Sequence, residues 1–433
     1  MELSQLKEIL IRHRERFLGR TGLIPREIQT SITPWLKQRE IISIVGVRRS
    51  GKSSLLRLLA GDLMEKTNVS ENRILYLNFE DERFTDFKSS DFEKILEASD
   101  EVLEPGGKKY FFLDEVQKVT GWERWLNRLY ELENIKILVT GSNTDLISSK
   151  VSSSLTGRNR QVANFPFSFR EFLAFKGHAS AGKAILRRED KAVIRKQLSE
   201  YVRMGGFPEV VKIGDESLLE QYFKDILYRD VIAGHSVRNQ REVRELALFL
   251  ASNPGAVLSL ANLKKMIQVK SLNTVKNYLE MFEGVFLFMR LNLFDFSLKR
   301  QIYNPPKFYP VDTGLYDAVG FHSSPNTGRA LETLVFLDMK RRGLDFYYWK
   351  SKRGKEVDFV VRKGRKVEEA VQVSLSLKGS GTMDREMDGL KSAQEELGAK
   401  HLFLITDDEE REIKEGSLRV QVIPLWKWLL TRD

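Results

Sequence analysis

The sequence predicts an α/β protein of several domains, with a parallel-sheet core in its first half and a smaller α/β domain at its C-terminal end. Short apolar runs at 41–45, 73–79, 110–113 and 135–140 alternate with helical patterns, as they do where helices cross over a parallel sheet. After residue 328 a helix, a strand pair and a third strand begin a second such pattern. The 433 residues are about three times the usual domain length, so two to four separate cores are expected.

The first element carries the densest chemistry. Ile41 to Val45 reads as a buried strand and Ser53 to Ala60 as a helix with Leu55, Leu56, Leu58 and Leu59 turned inward. Between them, Gly46-Val-Arg48-Arg49-Ser50-Gly51-Lys52-Ser53 matches G-x-x-x-x-G-K-[ST] without a gap, and Ser54 follows. In such a loop, backbone N–H groups converge on phosphate oxygens and the helix N-terminus adds partial positive charge. Lys52 reaches the terminal phosphates and Ser53 ligates Mg²⁺.

Arg73 to Phe79 is a second strand, followed by Glu80, Asp81 and Glu82 at the end where open parallel sheets bind ligands, so one of these acids is expected to face the nucleotide. Arg26, in the helical segment before the core, is a candidate for the surroundings of the base. Tyr110 to Leu113 leads into Asp114-Glu115, where the first carboxylate can hold Mg²⁺ and the second can polarise the attacking water. Ile135 to Thr140 ends in Thr140-Gly141-Ser142-Asn143, and Asn143 is the residue expected to reach the γ-phosphate or the water. Beyond a serine-rich run, Arg158 in SLTGR is a candidate charge-stabilising arginine, acting in cis or across a subunit boundary.

Composition narrows the classes. No cysteine is present, which excludes disulfides, thiolate metal sites and thiol catalysis and suits a reducing cytoplasm. No stretch is apolar and long enough to span a bilayer, and the N-terminus lacks a signal-peptide core. The net charge of +10 permits an acidic partner. It is uneven: Lys340 to Lys366 holds eleven Lys or Arg against three acids.

Together, GVRRSGKSS, FFLDEVQ with Trp122 just after it, TGSN, LTGR, PFSFREF at 166–172 and GGFPEVV at 205–211 resemble the archaeal and bacterial AAA-like P-loop ATPases that carry a restriction-endonuclease-like C-terminal domain. The resemblance covers nearly the whole chain. It implies an ATP- and Mg²⁺-binding core, a helical lid, a winged helix and a nuclease-fold tail in a prokaryotic cytoplasmic protein. The expected divisions are an N-terminal helical segment over 1–35, the ATPase core over 36–175, the lid over 176–245, the winged helix over 246–318 and the nuclease-like domain over 319–433.

Within the winged helix, Ser259 can cap one helix and Ser271 or Asn273 a second, with strands at 285–294 and 307–311. A DNA reader would expose Lys270, Asn273, Lys276 and Asn277 on the second helix. In the tail, Glu332 and Asp358 match two acidic positions of the PD-(D/E)XK pattern, acids that would hold a divalent metal. The third position departs from it: Gln372-Val373-Ser374 stands where Glu-x-Lys is expected. Gln372 is a poorer ligand and Ser374 supplies no cation, so this metal site is expected to be degenerate unless Lys355, Lys366 or Lys378 moves in. The basic run at 340–366 then reads as a footprint for a phosphate backbone, with Tyr347, Tyr348 and Trp349 as core strand residues.

Three activities follow as expectations. The first is an ATPase associated with DNA whose tail binds without efficient cleavage, with self-assembly open. The others are a nucleotide-gated switch acting on a protein partner and a working metal-dependent nuclease.

Overall fold

The computed structural model describes residues 1–19, 21–143, 157–178, 188–321, 327–378 and 381–431. Two compact units emerge: residues 1–165 with 284–286, and residues 166–283 with 287–433.

The first unit is built on five parallel strands, β1 (Ile41–Val45), β2 (Ile74–Asn78), β3 (Lys109–Asp114), β4 (Ile135–Gly141) and β5 (Asn159–Ala163), ordered β2-β3-β4-β1-β5. Alternation along β1 sorts the two faces. Ile41 and Val45 join a cluster with the N-terminal helix Leu3–Leu18 and with Phe92, Trp122 and Trp125. Ile42 and Ile44 join the opposite cluster with Leu55, Leu56, Leu59 and Leu63 of the helix Lys52–Thr67. That helix is longer than the sequence pattern indicated, and Leu58 is only half-buried. Each fully buried Leu contributes about 1.5–3 kcal/mol, which fixes the start of the helix against the tip of β1.

In the register, Val45 pairs with Gly141 and Asn78 with Asp114. All the strand tips named by the sequence therefore lie on one carboxyl edge, where parallel sheets place their ligands. β5 was not legible: Asn-Arg-Gln-Val-Ala at a sheet edge has no apolar run.

The second unit begins with helices that meet at the Gly205-Gly206 turn. Gly205 has φ +71°, and a Cβ there would fall 1.8 Å from the Asp312 carboxylate. Asp312 accepts the N–H of Gly206 at 2.7 Å and of Gly314 at 2.9 Å, and Gly206 O accepts Phe167 N–H at 2.7 Å. This turn is thus a pinned junction within its own unit.

Next, the helices Leu260–Met266 and Leu272–Gly284 precede an antiparallel pair, β6 (Phe288–Leu291) and β7 (Lys307–Pro310). Ser259 occupies the N-cap position without a side-chain bond. Ser271 Oγ accepts Asn273 N–H at 3.1 Å and so takes the role allowed to either residue.

The last sheet contains β8 (Asp345–Lys350), β9 (Glu356–Lys363), β10 (Lys366–Val373), β11 (His401–Thr406), β12 (Arg411–Glu415) and β13 (Leu418–Pro424), ordered β12-β13-β11-β10-β9-β8. The helices Thr327–Arg341 and Thr382–Leu397 both contact this sheet. Tyr348 and Trp349 are buried in β8, and Tyr347 packs edge-on against Phe294.

The basic run does not form one patch. Arg341 donates to the carbonyls of Pro166 and Phe167, while Arg342, Arg362, Lys350 and Lys355 are paired with Asp338, Asp345, Glu356 and Asp388. The exposed Lys352 and Arg353 lie at one end of β9 and Lys363, Arg365 and Lys366 at the other. The eight residues of β9 separate the two groups by about 25 Å at roughly 3.3 Å per residue. A single footprint over 340–366 is accordingly corrected to two small basic turns.

Candidate functional site

The phosphate loop spans the step from β1 to the helix Lys52–Thr67. Gly46 has φ +150°, and a Cβ there would lie 2.2 Å from Asn164 O, so the loop leaves the strand through a place only glycine fits. Arg49 also has positive φ, 68°, at the exposed outer turn.

Ser50 is held from beneath. Asn164 Nδ2 donates to Ser50 O at 2.9 Å and Oγ at 3.2 Å, and Arg26 donates to Ser50 O at 3.1 Å and Phe165 O at 2.7 Å. Arg26 is buried by this clamp. Arg48 pairs with Glu80 at 3.1 Å, which ties one of the three acids after β2 to the loop. Asp81 instead binds His13 and Arg83.

Lys52 is buried at the start of the helix. Its ammonium donates to Gly46 O at 3.1 Å and Val47 O at 3.3 Å and stands 3.5 Å from Glu115. These carbonyls satisfy the charge loosely, and a phosphate presents a stronger acceptor at the same place.

Asp114 is 2% exposed and gathers three hydroxyls: Ser53, Thr140 and Tyr76, the last at 2.7 Å. Burial pushes its carboxyl above the ordinary range, and the Ser53 and Thr140 hydroxyls work against that rise. The contact with Ser53 joins the loop to the tip of β3. Two hard oxygens, a hydroxyl and a carboxylate, thus face each other beside a helix N-terminus, a donor set that suits Mg²⁺.

Glu115 sits at φ 53°, a left-handed conformation unusual for a non-glycine residue. Its N–H donates to Thr140 Oγ1 at 3.0 Å, and its carboxylate accepts from Gln117 at 2.6 Å and Ser142 at 3.1 Å. Burial works to raise its pKa, but the Lys52 ammonium and the Gln117 amide outweigh it and hold the group ionised below the usual range.

Thr140 and Ser142 therefore make the contacts to the two carboxylates from β4, with Asn143 next in the chain. Tyr76 was legible only through register: it pairs with Phe112, two residues before Asp114, so its hydroxyl points along the same face. Gln117 and Ser142 stood in the motifs FFLDEVQ and TGSN without an assigned role, and Asn164 carried no local signal beyond polarity.

Arg158 requires a correction. It immediately precedes β5, whose first residue pairs with Ile41, so it lies at the amino edge of the sheet. Five strand residues at about 3.3 Å each put it roughly 16 Å from the loop. There it binds Asn127 and Glu131 and stands over the Tyr130 ring at 5.7 Å. A cis role at its own phosphate loop is excluded by that placement.

The expected metal residues of the C-terminal sheet also come together differently. Lys307 of β7 lies among them, 3.2 Å from Glu332, 2.9 Å from Glu356 and 3.7 Å from Asp358. Gln372 accepts Asp358 N–H at 3.1 Å and donates to Glu386 at 2.5 Å, while Asp358 accepts Val373 N–H at 2.9 Å. Glu332, Asp358 and Gln372 are thus spoken for by protein groups, and among the described residues no cluster of His, Cys, Asp and Glu has the geometry for a metal. The cation that entered is Lys307, not Lys355, Lys366 or Lys378. Glu386, buried at 3% exposure, is bound to Arg385 and Gln372 beside the same cluster.

Among known proteins, residues 38–173 match the AAA domain family, 195–325 a domain of unknown function (DUF8612) and 327–428 another (DUF4143). The uncharacterized protein MJ1544 of Methanocaldococcus jannaschii is 32% identical over 426 residues, covering 94% of this chain and 91% of its own. An uncharacterized protein of Haemophilus influenzae is 30% identical over 355 residues, covering 80% and 86%. The structure of Cdc6p from Pyrobaculum aerophilum is similar at 10% identity and a TM-score of 0.28, covering 70% of this chain and 96% of its own. That of the Aeropyrum pernix ORC1 protein in complex with DNA gives 10%, 0.30, 77% and 98%. At these scores the structural likeness carries no argument. With a phosphate loop joined to Asp114 and Glu115 and this identity over nearly its full length, the chain carries an AAA-type P-loop ATPase domain and belongs to the family of MJ1544.

Proposed function

We propose that the chain binds ATP with Mg²⁺ at Gly46–Ser53 and hydrolyses it, and that its second half associates with DNA. The observation that carries the reading is the meeting on one carboxyl edge of two contacting pairs, Ser53 with Asp114 and Lys52 with Glu115.

Gly46, Arg48, Arg49, Ser50, Gly51 and Ser54 line or support the loop that receives the phosphates, and Lys52 exchanges its carbonyl partners for the terminal phosphate. Ser53 and Asp114 would hold the Mg²⁺, which when bound offsets charge on the β- and γ-phosphates. Glu115, freed of Lys52, accepts a proton from the attacking water, and Ser142 and Gln117 orient its carboxylate. Asn143, at the tip of β4, is assigned to the γ-phosphate side. Burial excludes bulk water from Lys52, Asp114 and Glu115, which strengthens each of these interactions.

Support for DNA association is compositional and positional. Lys265, Lys270, Asn273, Lys276 and Asn277 are exposed on or beside the helices Leu260–Met266 and Leu272–Gly284, ahead of the β6–β7 pair. This order fits a winged helix whose second helix enters a major groove.

Steady-state ATP turnover, measured with linear, supercoiled and branched DNA at two salt concentrations, tests both parts. Turnover that DNA raises, less so at the higher salt, supports the whole reading. Turnover indifferent to every DNA form removes the DNA part, and no turnover under any condition removes the ATPase.

A further inference from the structure

We propose that Lys307 is the resident cation of the C-terminal carboxylate cluster, standing where a nuclease fold would hold a metal and keeping the domain closed to metal-dependent cleavage. The inference is independent of the nucleotide site. It rests on a disagreement between the acids present, which suit a divalent ion, and the group that fills the space between them.

Glu332 comes from the helix Thr327–Arg341, Glu356 and Asp358 from β9, and Lys307 from β7, a strand of a different sheet. The Lys307 ammonium is within 4 Å of all three carboxylates, and the residue is 2% exposed. A divalent cation bonds carboxylate oxygens at about 2.0–2.6 Å and so needs the same central position. The two cannot share it, because like charges a few ångströms apart in a buried site repel strongly.

Neighbouring groups fix the arrangement. Tyr309, also on β7, donates to Glu332 at 2.6 Å, and the Lys307 ammonium lies 5.4 Å from the centre of the Tyr348 ring. Gly255 leaves room for Glu332, since a Cβ there would stand 2.9 Å from its carboxylate. Val373 N–H engages Asp358, and Gln372 bridges Asp358 N–H to Glu386, which leaves the third expected ligand turned to protein partners.

The closure is tethered. A metal can be withdrawn by a chelator, whereas Lys307 leaves only if β7 moves away from β9. Replacing its ammonium by an apolar group of similar length leaves three part-buried carboxylates without their common cation. They then take up a divalent ion when one is supplied, and the site that Lys307 conceals becomes measurable.

The test is Mn²⁺ binding to the full chain without nucleotide, by calorimetry and electron paramagnetic resonance, in an Asp114→Asn background that weakens metal binding at the phosphate loop. Without further change, no Mn²⁺ site sensitive to Asp358→Asn is expected. Adding Lys307→Met creates one Mn²⁺ site per chain, and adding Asp358→Asn to that variant weakens it about tenfold or more. Lys307→Arg, which keeps the charge, acquires no site. If Lys307→Met folds only when Mn²⁺ is supplied, the result supports the proposal. If it folds under neither condition, the Lys307-containing chain decides, and an Asp358-dependent Mn²⁺ site there overturns the proposal. So does a folded Lys307→Met chain that acquires no Mn²⁺ site, or Mn²⁺-dependent DNA cleavage that requires Lys307.

Discussion

Two buried lysines, one in each unit, stand beside carboxylates and have opposite prospects. Lys52 rests on two main-chain carbonyls and one carboxylate, while Lys307 is surrounded by three carboxylates. A phosphate that enters the first site offers Lys52 more than it gives up. Nothing that enters the second can offer Lys307 as much, and Glu332, Glu356 and Asp358 push its pKa well above the ordinary lysine range despite burial. The same side chain thus serves as a movable ligand-binding charge in one unit and as a fixed structural charge in the other, and the partner set decides which.

The largest effect that could break this contrast is at Lys52. Lys52→Ala should reduce kcat/KM for ATP by about 10²–10³-fold or more while leaving the thermal stability of the chain nearly unchanged. Steady-state kinetics beside a melting curve check both halves. Lys307→Met should do the reverse, destabilising the second unit by about 3 kcal/mol because it leaves the part-buried Glu332, Glu356 and Asp358 without their common cation. Denaturant unfolding of parent and variant would show it, and equal midpoints would mean that the cluster is not held by its lysine.

A smaller effect sharpens the description of the first site. Tyr76→Phe removes one hydroxyl from Asp114 and should raise the Mg²⁺ concentration needed for half-maximal turnover by about tenfold. An unchanged Mg²⁺ dependence would leave Tyr76 a packing residue only.

Lys136 supplies the smallest and most specific prediction. It is buried in β4, donates to Gln38 O at 3.0 Å and to Glu40 O, and has no carboxylate bonded to it among the described contacts. Burial, with Lys108 nearby, pushes its pKa down to about 7. The unfolded chain keeps this proton to about pH 10.4, so between these values it binds more protons than the folded chain and stability rises with pH. From pH 7 to 9 the gain is about 2 kcal/mol, and Lys136→Met should remove it from the pH dependence of unfolding.

What could be read from the sequence divides along the same line. The phosphate loop and Asp114-Glu115 announce themselves because their chemistry is contiguous and sits at the ends of apolar strands. Tyr76, Thr140 and Ser142 become partners of the two acids only through strand register, which no local pattern gives. For Arg158 the choice between a role in cis and one across a subunit boundary stayed open because β5 lacks an apolar run, so nothing showed that the chain returns there to the amino edge. Lys307 was hidden for a different reason: its three carboxylates lie 25 to 51 residues further on, and a lysine after two prolines resembles any surface turn. The paired charges of 340–366 show the same limit, since a charge count does not reveal which cations are already engaged.

The most direct test of the central claim is ATP binding and single-turnover hydrolysis in Glu115→Gln beside the parent chain, with Mg²⁺ present. The account predicts that the variant binds ATP about as tightly as the parent and cleaves it about 10²–10⁴-fold more slowly, because only the proton acceptor has been lost. Parent-like hydrolysis by the variant would contradict it.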